Sequence, residues 1–170
     1  APPTFPGWPP PPGTAPPPGT APPPGGQPPA GSTATVLNPA AATIATIPLT
    51  AYANQQTAGM QPITPVIAGQ FQQGQYLEQA FQMQPGKCYA AVAVGAGISN
   101  MHIKLVAVTP IPGLPSDLAE SKTTGANAHV GGGGNCYKYG TALIPIAINA
   151  KAVFTAVAGQ GIAAGRVYVK

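Results

Sequence analysis

Two cysteines, two histidines and three carboxylates are the residues from which this 170-residue chain could build a reactive site. Cys88 and Cys136 lie far apart in the sequence, whereas zinc ligands come grouped within a few residues. A disulfide between them is the expectation. Such a bridge restricts the unfolded chain, contributes about 2–4 kcal/mol, and belongs to an oxidising compartment. His102 alternates with Lys104 on the outward side of a strand pattern, and His129 sits beside the glycine run Gly131 to Gly134. A serine triad drawn from Ser99, His102 and Asp117 lacks the Gly-x-Ser-x-Gly elbow that exposes a nucleophile. The glycine run lacks the Gly-Lys-Ser/Thr ending of a phosphate loop. Asp117 and Glu120 have no further oxygen donors nearby to complete a hard-cation site. These patterns imply no catalytic residue, no metal and no cofactor, and the chain is not expected to be an enzyme.

Charge narrows the partners. The chain carries seven Lys and Arg against three Asp and Glu, 6% charged residues and a net charge of +4, where soluble proteins average roughly 25% charged. The cations Lys87, Lys104, Lys122, Lys138, Lys151, Arg166 and Lys170 are scattered. A nucleic-acid site would cluster them among stacking aromatics, so no nucleic-acid partner is expected. No run of apolar residues is long enough to span a membrane. The chain starts at Ala1 without Met or an apolar leader, which reads as a mature form after signal cleavage. No Asn-x-Ser/Thr sequon is present, so any glycan would be O-linked.

Three stretches differ in composition. Residues 1–31 hold 15 of the 24 prolines around a hexapeptide repeat, Gly-Thr-Ala-Pro-Pro-Pro. Proline runs favour polyproline II with three residues per turn. Thr14 and Thr20 then share one side of an extended arm and are the first candidates for O-glycosylation. Residues 32–73 carry no charge and read as an extended linker. Within it, Thr43 to Tyr52 is rich in Thr and Ile, with Pro48 marking an edge strand or bulge. Thr43, Ile44, Ile47 and Leu49 are the expected face of a donor strand for a neighbouring copy. Residues 74–170 contain every charged residue and both cysteines. Period-two patterns at Met101, Ile103 and Leu105, at Ile144, Ile146 and Ile148, and at Val153, Thr155 and Val157 alternate with Gly/Pro turns. Short strands between such turns point to an all-β antiparallel β-sandwich of jelly-roll or Ig-like type, preceded by the extended arm. No amphipathic helix is expected.

The segment Phe81-Gln82-Met83-Gln84-Pro85-Gly86-Lys87-Cys88-Tyr89, the strand Asn100 to Leu105 and the closing Gly161 to Val169 together resemble a bacterial secreted β-sandwich module of the pre-peptidase C-terminal type. That resemblance covers about 90 residues of the 170. It implies a module carried on secreted or surface proteins, with no chemistry of its own. The chain departs from the family in its few acidic residues, with only Asp117 and Glu120 in the middle loops.

Function follows from the uncharged front half. It holds apolar side chains that should not stand in water, and it is too proline-rich to fold alone. An extended segment can complete a neighbour's sheet edge, and a head-to-tail contact that does not close makes a fibre. The expected function is a secreted structural subunit on the cell surface that assembles with other copies of itself into an extracellular filament. The alternative is a carbohydrate-binding or adhesin module on a proline-rich stalk, with glycans as partners and Tyr89, Tyr137, Tyr139 and Tyr168 as candidate contact residues.

Overall fold

The computed structural model describes residues 31–140 and 144–170. The polyproline II arm, with Thr14 and Thr20, lies outside the described residues apart from Gly31. In chain order the elements are β1 (Thr35–Val36), α1 (Pro39–Gln56), β2 (Gln61–Pro62), β3 (Ile67–Phe71), β4 (Tyr76–Met83), β5 (Cys88–Ala107), β6 (Asp117–Glu120), β7 (Asn127–Val130), β8 (Tyr137–Lys138) and β9 (Ile148–Val169).

Every pairing between these strands is antiparallel, as the alternating patterns led us to expect. Two strands organise the sheet. β5 has 20 residues and β9 has 22, against an ordinary length of about 5–6. They pair from Tyr89↔Val169 to Ala107↔Ala150. A twisted ladder of that length has to bend. The bend falls where the register shifts between Ala96 and Met101. Gly97 and Gly159 both sit there with φ of 83°, a left-handed conformation that glycine adopts without steric cost.

The bend divides the sheet into two halves. The start of β5 and the end of β9 form one half, with β3, β1 and β2 on the β9 side and β7 and β8 on the β5 side. The end of β5 and the start of β9 form the other, flanked by β4 and β6. Both halves contribute to one core. Ala91, Ala93, Ala163 and Val167 come from the first, and Leu77, Ile103, Ala152 and Phe154 from the second. Gly165 makes room where the halves meet, since a Cβ there would stand 2.6 Å from the Phe154 ring.

Residues 37–56 depart from expectation. The segment read as a donor strand is the helix α1, and Thr43, Ile44, Ile47 and Leu49 all lie on it. Local signals explain the helix. Asn38 caps it, accepting a hydrogen bond from the Ala41 N–H at 2.8 Å. Pro39 occupies the first turn, where a missing N–H costs nothing. Thr43, Thr46 and Thr50 donate their hydroxyls to carbonyls one turn back, at 3.0, 3.0 and 2.8 Å. Pro48 is inside the helix but on its exposed side, so the backbone bond it forfeits is replaced by water. One stripe, Ala45, Leu49 and Ala53, is buried against Ala68, Val92, Val94, Ala164 and Tyr168 on the outer face of the first half-sheet.

The linker reading of 32–73 is corrected with it. Ala34, Phe71 and the α1 stripe are core residues, and β3 is bonded to β9. The expected boundary at residue 74 therefore cuts through a single packed unit. A chain segment of low charge reads as linker by composition alone, but here its apolar residues find their cover on the same molecule.

Candidate functional site

Folding the sheet on itself leaves a seam on each side, where edge strands of the two halves diverge. The first seam lies between β4 and the segment leading into β3. A groove of about 350 Å³ runs there, walled by Ile63, Thr64, Gln82, Lys87 and Tyr89. It meets a second groove of about 410 Å³ at Pro65 and Gln79, which continues past Val36 to the first turns of α1. β4 forms the rim. Its outer edge is engaged at Tyr76, which exchanges backbone bonds with Ser32 and Ala34 at 3.2 and 2.9 Å. From Leu77 to Met83 no strand among the described residues pairs with that edge. The strand contains neither proline nor glycine. Its one charge, Glu78, is paired with Lys151 at 2.6 Å.

The second seam lies between β6 and the β7–β8 pair. It opens as a cleft of about 540 Å³. The end of α1 helps to build it. The Tyr52 hydroxyl and His129 Nδ1 share a hydrogen bond of 2.8 Å, and the Gly133 N–H donates to the Gln56 carbonyl at 3.0 Å. Gly132 is packed so closely that a Cβ would fall 2.4 Å from the His129 ring. The Cys88–Cys136 bridge, Cα–Cα 5.4 Å, ties the far end of this loop to the start of β5. Lys122 and Lys138 stand exposed on the walls, together with Thr123, Asn135 and Tyr137. Burial pushes the Tyr52 and Tyr137 phenols above their ordinary range, so both remain neutral hydrogen-bonding groups at physiological pH.

The chain matches no family model, no curated protein and no solved structure. What the molecule offers must be read from its own geometry.

Of the residues singled out from the sequence, Cys88 and Cys136 are joined as expected. That bond is the mark of an oxidising environment. Among the described residues no helix is long and apolar enough to cross a membrane. Ser99, His102 and Asp117 do not converge: Asp117 pairs with Lys104 at 2.9 Å, and His102 lies 3.7 Å from Glu120. Among the described residues no three metal-ligating side chains cluster. Leu49 is buried, whereas Ile44 and Ile47 are 76% and 73% exposed on an uncharged helix face. Three of the four tyrosines considered as glycan contacts are core residues. Tyr89 accepts from the Gln84 N–H at 2.6 Å, Tyr139 donates to the Ile146 carbonyl at 3.0 Å, and Tyr168 lies under α1. Tyr137 alone of the four lines the open cleft. Sequence reasoning missed the cleft itself. Its walls come from residues 119–138, and only the pairing of β6 and β7 to opposite ends of β5 brings them together.

Proposed function

We propose that the protein is a secreted structural subunit that assembles with copies of itself into an extracellular surface filament. The open edge of β4, Leu77 to Met83, carries this reading. An unpaired strand edge presents N–H and C=O groups ready to bond another chain, and proteins that stay monomeric blunt such edges with charge, proline or a bulge. β4 has one charge, already neutralised by Lys151, and neither of the other devices. The uncharged face of α1, with Ile44 and Ile47 exposed, adds no repulsion between packed copies. The donor strand of the sequence reading is replaced here by an acceptor edge, and the Pro-rich arm would coat the assembly. A β-sandwich of jelly-roll or Ig-like type, similar in kind to pre-peptidase C-terminal modules, belongs to the same proposal. It is supported by the two half-sheets sharing one core.

The test is an edge charge. Ala80→Lys with Gln82→Lys places two like charges on exposed positions of β4. The wild-type chain is expected to form linear assemblies by negative-stain microscopy and sedimentation. The double variant is expected to remain monomeric with unchanged circular dichroism. A wild type that stays monomeric at all concentrations, or a variant that assembles as well, would refute the proposal.

A second reading, a carbohydrate-binding or adhesin module, is favoured by the polar cleft between β6 and β7–β8.

A further inference from the structure

We propose that this cleft binds an acidic saccharide, with a sugar carboxylate held between Lys122 and Lys138 and the sugar hydroxyls met by Thr123, Asn135 and Tyr137. The proposal rests on the second reading above and names its ligand.

Charge is the first argument. The chain has only three carboxylates, and all are engaged elsewhere. Asp117 faces Lys104, Glu78 faces Lys151, and Glu120 lies beside His102. Lys122 and Lys138 make no ion pair among the described residues, yet both line one cleft. In a chain with so few charges, two unneutralised cations on facing walls favour an anionic occupant.

An independent observation concerns Thr123. Its hydroxyl oxygen is the one buried side-chain polar atom among the described residues without a hydrogen-bond partner, and Thr123 is part of the cleft wall. Buried polar groups are nearly always satisfied, by protein or by something bound. A polyhydroxylated ligand supplies donors and acceptors at such a position, whereas an apolar ligand supplies none.

Size and lining decide between anions. The cleft holds about 540 Å³, within the roughly 300–1,000 Å³ typical of small-molecule sites. Inorganic phosphate would leave most of it empty. A nucleic-acid strand needs a basic track with stacking rings, and this wall has two lysines and one half-buried tyrosine. The Asn135 amide and the Tyr137 hydroxyl suit sugar hydroxyls. The rigid frame is also present. The Cys88–Cys136 bridge and the Tyr52–His129 bond hold the loop before binding, and preorganisation of this kind lowers the ordering cost of association.

The experiment is calorimetric titration of the full, disulfide-bonded chain with trigalacturonate, with neutral galactotriose, and with inorganic phosphate at matched ionic strength. Saturable binding of trigalacturonate is expected, weakened at least tenfold by Lys122→Gln with Lys138→Gln. The near-isosteric Thr123→Val should weaken it several-fold while thermal stability is unchanged. Equal binding of galactotriose, indifferent to the lysine variants, would overturn the acidic-ligand proposal and leave the saccharide reading standing. Phosphate binding as tightly as trigalacturonate would overturn it in favour of a generic anion site. If neither saccharide binds, both the proposal and the reading beneath it fail.

Discussion

At Gly165 the two half-sheets come closest, and the reason is one missing atom. The Phe154 ring lies across the position a side chain would occupy, with ring carbons 2.6–2.8 Å from an added Cβ. Overpacking a filled core forces rotamers and backbone to shift, at about 1–3 kcal/mol. Gly165→Val is therefore expected to lower the denaturation midpoint in guanidinium by that amount. A midpoint equal to wild type would show that the halves do not press together there. Residue types were legible at this scale and their neighbours were not. Cys88 and Cys136 could be paired because the chain has no other cysteine. Tyr89, Tyr139 and Tyr168 could not be told from Tyr137, because an aromatic ring on a strand looks the same in sequence whether it faces core or cleft.

Among the elements, α1 teaches most. Its Thr and Ile content resembles a strand, and its proline resembles a stop. Tertiary contact overrides both, since burying Ala45, Leu49 and Ala53 against the sheet rewards the helical spacing. The small residues of that stripe let the helix approach closely, and Leu49 is its largest buried side chain. Pro48 contributes no such contact, because it is exposed. An interior helical proline costs about 3 kcal/mol relative to alanine. Pro48→Ala is expected to stabilise the protein, by about 1–3 kcal/mol, and to raise helical ellipticity at 222 nm. A loss of stability would mean that the kink imposed by Pro48 is what seats α1 on the sheet. The strands were easier to read. Met101, Ile103 and Leu105 alternate inward on β5 as their pattern demands, and all three are buried. Their merging into two very long bent strands was not readable, because Gly97 and Gly159 look like turn residues until their partners across the ladder are known.

For the whole molecule, the disulfide closes a loop of 48 residues that contains most of β5, all of β6 and β7, and the glycine run. A loop of that length corresponds to about 4 kcal/mol of unfolded-state entropy. Cys88→Ser with Cys136→Ser is expected to lower stability by about 2–4 kcal/mol, measured by urea denaturation of oxidised wild type against the variant. A difference under about 0.5 kcal/mol would show that the unfolded chain is already constrained between these positions. The same bridge holds the loop that walls the cleft, so the variant should also weaken any ligand bound there.

By itself the sequence determined the antiparallel β class, the single disulfide and the lack of charge across the first 77 residues, because these depend on alternation, on cysteine count and on composition. Tertiary structure alone decided that residues 37–56 are helical, that 32–73 belong to the packed unit, and that residues 119–138 enclose a cleft. Those outcomes depend on which surfaces meet after the long strands bend. Contacts between residues far apart in the chain leave no local trace for periodicity or propensity to report.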